Sequence, residues 1–408
     1  MLLAGGHVLD VGTGELVRRD LAITGGHVVD RVESGDEVRI DVDGLTIMFG
    51  LWDVHAHPGG LMYDPPAAGY FERVAQHSVR AGANLLQAAT MGITGVRTAA
   101  EADGIDMAWR DAFANGRWPG PRVMCSGPAI RTTGGHGTAY PREYVNASPF
   151  LIADGPTQMR VAVRTLAEQG ADWVKILLTG GLYSVHETVD SGQLSDDELG
   201  MVMATAKQRG LPVLAHCGSA RLAELFVELG GRSVEHGYAL DEKAAAAIAA
   251  KGAWLTPTIG VTHDVEMMKA DGWPDHAMKR AIASAKKHAD AVQACIAVGV
   301  KLATGADLNP IGPRLHAELR LLEQIGMSRL EVLRAATSSS RELNGLGGET
   351  APRPGSAADL VLLAGNPLDD LSVLHNPRGV MTYGRFVVDP RGGALSAPAS
   401  FPYGARRR

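Results

Sequence analysis

The sequence predicts an α/β fold: a (β/α)₈ TIM barrel with a small β-sandwich formed from both chain termini. Three observations carry this. Eight short apolar segments recur between residues 50 and 307, amphipathic helical stretches separate them, and turn-rich alternating segments gather near the two ends.

The end segments come first in the chain. "HVLDVGTGELV", "DLAITGGHVVD" and "EVRIDVDGLTI" alternate apolar and polar residues between Gly-rich corners, which reads as short strands joined by tight turns. "ADLVLLAGNP" and "GVMTYGRFVVD" repeat the pattern near the C-terminus. Residues 1–50 and 352–408 are therefore expected to pair into one sandwich domain, which leaves 51–351 for the barrel. The closing Arg406-Arg407-Arg408 is expected to be a frayed tail.

Eight segments supply the barrel strands: "GLWDVHAH", "GITGVRTA", "RVMCSG", "DWVKILLT", "PVLAHC", "SVEHG", "AWLTPT" and "VKLATGAD". Most are nearly continuous apolar runs, as suits parallel strands covered on both faces. Helical stretches such as "PTQMRVAVRTLAEQG" and "LSDDELGMVMATAKQRG" lie between them and close on Gly. An open doubly wound sheet is the alternative, but no Gly-x-Gly-x-x-Gly turn follows the first strand.

Composition narrows the class. A chain of 408 residues with 45% hydrophobic side chains can bury a large core, and a net charge of -6 with mixed signs marks no nucleic-acid surface. The N-terminal "MLLAGGHVLDVGTG" lacks the features of a secretion signal, and no run approaches the roughly 18 apolar residues of a membrane span, so a cytoplasmic location is expected. Cys125, Cys217 and Cys295 lie far apart without CxxC spacing, which argues against disulfides and a thiolate zinc site.

In a barrel of this type the C-terminal strand ends build the active site. Here they carry His55 and His57 on strand one, Lys175 on strand four, His216 on strand five, His236 on strand six and Asp307 on strand eight. Alternate residues of a strand face the same side, so both imidazoles of His-Ala-His can reach one cation. Lys175 stands among Trp173, Val174, Ile176 and Leu177, where a lone ammonium would be poorly solvated. Burial favours its neutral amine, which can react with carbon dioxide to give a carbamate. A Schiff-base role is the competing chemistry, but it has no use for four imidazoles and an aspartate. His216 and His236 lie just ahead of Gly218 and Gly237, which leaves room for a ligand, and Asp307 could both bind a cation and accept a proton.

This set resembles the amidohydrolase superfamily, in particular its binuclear-metal branch with a carboxylated lysine. The resemblance spans nearly the whole chain. It implies that His55, His57, Lys175, His216, His236 and Asp307 hold two divalent cations, with N6-carboxylysine at Lys175. Zinc is the metal expected, although these donors also suit manganese, cobalt and iron. "TTGGHG", "VKILLTGG" and "VEHGY" are similar to the group containing Xaa-Pro dipeptidases, carboxypeptidase-like enzymes that release C-terminal Arg or Lys, and ochratoxin, molinate and phenylurea hydrolases. By that resemblance His136 and Tyr238 contact the substrate's carbonyl or carboxylate. Phe49, where proline is usual, and Cys217, where glycine often follows the histidine, depart from the pattern without touching a ligand. His186 and Glu187, in "YSVHETVDSGQ", either line the pocket or sit in a solvated loop.

The implied chemistry is hydrolysis of a peptide or N-acyl amino acid amide by a metal-bridging hydroxide, with Asp307 as proton carrier and His136 at the oxyanion. Expected partners are a small molecule or short peptide, and a homo-oligomeric state is expected. Rival readings keep the metals and change the bond to an ester, lactone, cyclic amide or carbamate, or restrict the enzyme to one modified peptide. A metal-free, non-enzymatic barrel is the remote rival.

Overall fold

The computed structural model describes residues 1–31, 38–60, 73–138 and 148–392; the closing arginine tail and the rest of the terminal segment beyond 392 lie outside the described residues. The eight expected segments all form strands, in two parallel ladders. One runs through Leu51–Ala56, Ile93–Thr98 and Arg122–Met124. The other passes from Phe150–Ile152 through Ala129–Arg131, Val174–Leu177, Val213–Cys217, Ser233–His236 and Trp254–Thr256 to Lys301–Leu302. Backbone bonds link the ladders at both margins. Val54 N donates to Thr304 O at 2.8 Å and Asp307 N to His55 O at 2.9 Å, while Asp172 N donates to Cys125 O at 2.7 Å.

Two strands were not among the eight expected. Ala129–Arg131 and Phe150–Ile152 are three residues each, too short to display a period, and the first follows Gly127, whose φ of 59° redirects the chain after Arg122–Met124. They matter because Ile130 pairs with Ile176, which sets the loop carrying His136 beside the strand carrying Lys175.

Helices between strands begin and end as their sequences dictate. Ser195 accepts from Glu198 N while Glu198 reaches back to Ser195 N, a reciprocal capping box for Asp196–Arg209. That helix stops at Gly210, φ 68°, and Gly155–Gln169 stops at Gly170, φ 86°; both are left-handed caps that disfavour a Cβ.

At the chain ends, a six-stranded sheet joins His7–Leu9, Leu16–Arg18 and Thr46–Phe49 to Leu360–Leu363, Gly379–Thr382 and Arg385–Val388, the two sets meeting where Thr46–Phe49 pairs with Leu360–Leu363. Leu2–Ala4, Leu21–Thr24, His27–Val29 and Arg39–Asp41 form a four-stranded sheet. Leu3, Ile23 and Ile40 from the smaller sheet share one apolar cluster with Val8, Ile47 and Leu360 from the larger. No helix among the described residues is long and apolar enough to cross a membrane.

Candidate metal centre and active site

The six predicted donors line one pocket at the C-terminal ends of the parallel strands, together with His136 and Tyr238. Each imidazole has one nitrogen bonded to a group outside the donor set. His55 Nδ1 lies 2.6 Å from Glu235 Oε2, and His57 Nδ1 lies 3.2 Å from the Ala100 carbonyl. His216 Nε2 lies 2.9 Å from the Gly180 carbonyl. These oxygens only accept, so the paired nitrogen carries the proton and the other keeps its lone pair.

His236 gives the clearest case. Its Nδ1 is 2.7 Å from Thr258 Oγ1, whose own proton goes to Pro257 O at 2.7 Å, so the hydroxyl must accept from Nδ1. His236 Nε2 is then an unprotonated lone pair, buried and without a hydrogen-bond partner. One donor atom each from His55, His236 and Asp307 lie within 4.8 Å of one another. Asp307 Oδ1 stands 3.3 Å from His55 Nε2 and 3.0 Å from His57 Nε2, and Lys175 Nζ is 3.3 Å from His55 Nε2.

Burial sets the charge states. It pushes His57, His216 and His236 below the ordinary imidazole value, so these rings stay neutral at pH 7. It lowers the Lys175 amine to about 8, against the opposing pull of Glu235 and Asp307. Asp307 goes the other way: burial alone would raise its carboxyl, but His55 and His57 hold it well below the usual range.

The support beneath the donors is also charged. Glu235 is fully buried; burial opposes its ionisation, yet Arg97 at 2.8 Å and the bond from His55 bring its carboxyl down to about 2. Asp53 accepts from His55 N at 3.0 Å and Ala306 N at 3.3 Å, so the first strand is tied to the turn that carries Asp307. His236 and Asp307 both adopt left-handed backbone, φ 67° and 65°. For non-glycine residues this costs on the order of 1–3 kcal/mol each, and it turns both side chains away from ordinary strand geometry toward the pocket.

His136 sits above this floor. Its Nδ1 meets Glu187 Oε1 at 2.5 Å and its ring lies 4.3 Å from that of His216. Gly181 N also donates to Glu187, at 3.1 Å, and a Cβ on Gly181 would fall 2.2 Å from His136 Cε1, so only glycine admits the ring. Tyr238 stacks on His236 at 5.0 Å with planes 4° apart, and burial keeps its phenol protonated. Of the two loop residues left open by sequence, Glu187 engages His136 and His186 is exposed.

Sequence reasoning missed Glu235 and Arg97. Both were visible by the logic applied to Lys175, because each is a charged residue inside an apolar strand, in "SVEHG" and "GVRTA".

A parallel α/β framework with histidines, a lysine and an aspartate converging on its C-terminal rim defines a TIM-barrel hydrolase. The chain belongs to the amidohydrolase family, whose model matches residues 46–387. It is 31% identical to the ochratoxinase of Aspergillus niger over 358 residues, 82% of this chain and 73% of that protein. Among solved structures it is similar to a prolidase complexed with N-methylphosphonate-L-proline, at a TM-score of 0.85 and 29% identity, covering 95% of this chain and 99% of that one. A Xaa-Pro dipeptidase with bound methionine in its active site matches at a TM-score of 0.83 and 27% identity, over 94% and 98% of the two chains.

Proposed function

We propose that this chain is a metal-dependent amidohydrolase that cleaves a peptide or N-acyl amino acid amide. His55, His57, Lys175, His216, His236 and Asp307 would hold two divalent cations, zinc being the expected metal. The observation that carries the reading is the buried, unpartnered lone pair of His236 Nε2, beside donors from His55 and Asp307. Burial has stripped that nitrogen of hydration without giving it a protein partner, as it has His316 Nδ1, but His236 stands within reach of two further donors, where a cation would restore one.

Bound there, two cations would supply Lewis acidity and bring the pKa of a water from 15.7 toward about 7. The chain's own residues do the rest. Lys175, its amine eased toward neutrality by burial, attacks carbon dioxide and loses a proton, giving a carbamate whose two oxygens join the donor set. Asp307 is ionised and in contact with two imidazoles, which fits it to take a proton from the attacking water and pass it to the leaving nitrogen. Glu187 fixes the His136 ring, so that its Nε2 faces the substrate's carbonyl or carboxylate. Tyr238 keeps its hydroxyl proton and serves as a second donor.

The same reading takes the two ladders as one closed barrel over 51–351 and the terminal sheets as a sandwich of 1–50 and 352–408. The bonds from Val54 to Thr304 and from Asp307 to His55 support the first, and the shared cluster around Leu3 and Ile47 the second.

Metal analysis and one variant test the proposal. About two divalent ions per active chain are expected, and fewer than one overturns the binuclear reading. Lys175→Ala should lose nearly all amide hydrolysis with an unchanged circular dichroism spectrum; wild-type turnover would overturn the carbamate.

A further inference from the structure

The pocket has a polar floor and apolar sides. One side is Leu182, Tyr183, Tyr238, Val261, Trp273 and Leu308; the other is Ala99, Ala100, Phe150 and Leu177. Beyond the floor residues and His136, no lining side chain among the described residues carries a formal charge. The aromatic side belongs to a satellite apolar cluster in which Leu182, Tyr238, Val261 and Leu308 pack with Met267 and Met268.

That side is held in place. Tyr183 and Trp273 meet edge to face at 5.9 Å. His276 Nε2 donates to the Tyr183 carbonyl at 2.7 Å. From the same helix, Asp275–Ala297, Arg280 donates to the carbonyls of Gly181, Leu182 and Ser184 at 3.1, 3.0 and 2.6 Å. A guanidinium that donates to the carbonyls of Gly181, Leu182 and Ser184 and of their neighbour Val185 fixes a backbone more firmly than neutral donors would. The wall is thus formed before substrate arrives.

We infer that the pocket selects amides whose side chain beside the scissile bond is aromatic or large and apolar, with Tyr183 and Trp273 as its subsite and Arg280 as the residue that positions it. The inference rests on the amide-hydrolase reading above and narrows its substrate class. An aromatic ring presents roughly 150–250 Å² for burial against this wall. A charged side chain would surrender its hydration there and find no counter-charge on that wall among the described residues. Release of C-terminal Arg or Lys, one activity of the group this sequence resembles, is therefore disfavoured.

The test uses the full zinc-loaded chain and a panel of N-acetyl amino acids and glycyl dipeptides ending in Phe, Leu, Gly, Arg or Asp. The kcat/KM for the Phe substrates should exceed that for Arg and Asp on the order of 100-fold. Trp273→Ala should raise KM for the Phe substrates by about tenfold or more and leave the Gly substrates nearly unchanged. Trp273→Phe should restore the preference, which separates a lost subsite from a misfolded loop. Equal or better turnover of Arg or Asp substrates, or a uniform fall in kcat across the panel in Trp273→Ala, overturns the inference and leaves amide hydrolysis standing. No turnover of any amide by the two-metal protein removes both.

Discussion

The apolar layer of the parallel strands is built on Trp52, Leu214 and Trp254, with Trp173 just ahead of a fourth strand; the pocket at the other end is lined by His55, His216 and Lys175, from three of these four strands. Both sets are almost wholly buried, so burial does not distinguish them. What differs is what each end asks of its neighbours. The tryptophans ask for close packing, and they form one cluster with Val54, Ala99 and Ala303. The donor imidazoles ask for orientation, and each takes it from a carboxylate, carbonyl or hydroxyl on another strand or loop. One end of the fold should therefore set stability and the other activity, and the buried Arg97–Glu235 pair belongs to both.

Glu235→Gln is the strongest test of that division. It removes the counter-charge of Arg97, which is fully buried, and weakens the acceptor that orients His55. Stability should fall by about 3–5 kcal/mol, as for other broken buried pairs, and activity by about 10- to 100-fold. The double variant Arg97→Met/Glu235→Leu separates the effects. It should recover most of the melting temperature because no charge is left stranded, yet stay impaired in hydrolysis because His55 lacks its acceptor. Recovery of both would show that Glu235 acts on His55 only through the fold.

Trp254→Ala probes the opposite end. Removing a large, buried side chain should lower stability by about 3–5 kcal/mol in denaturant titration. At 25 °C the kcat/KM of the remaining folded protein should match the wild type. A loss of catalysis as large as that of Glu235→Gln would break the comparison, because it would mean the apolar layer positions the donors directly.

The legibility of the two ends in the sequence differs for a physical reason. The six residues that line the pocket were legible because a polar residue within or ending an apolar strand has a narrow range of explanations, and six of them at one rim have fewer still. The strands of the two terminal sheets and the capped helices were legible from alternation and from Gly and Ser at their ends. Tyr183, Trp273 and Arg280 were not, since their roles arise when a loop after one strand meets a helix more than ninety residues later. Glu235 stood next to His236 in full view, but alternation sends it to a different neighbour, and only the structure shows that neighbour to be Arg97.

The smallest expected effect concerns a histidine away from the rim, and it asks whether neutrality without a ligand leaves a trace. His316 is buried on Ile311–Gln324, with Nε2 3.1 Å from the Met91 carbonyl and its ring 4.7 Å from that of His375. Burial, aided by His375 and Arg320, lowers it from 6.5 to about 4. The unfolded chain therefore binds this proton first. The stability His316 contributes is complete above pH 6.5 and is lost as pH falls toward 4, at about 1.4 kcal/mol per unit. Glutamine has no proton to gain and can still donate to Met91 O. In His316→Gln the melting temperature should thus fall less between pH 6.5 and 5 than in the wild type, while hydrolysis at pH 7 is unchanged. Parallel curves for the two proteins would place the acid sensitivity elsewhere. His57, His216 and His236 at the rim are neutral through the same burial, but a bound cation would hold them so at lower pH. A wild-type acid slope that persists at saturating zinc and shrinks in His316→Gln would separate a histidine buried for packing from one buried for a ligand.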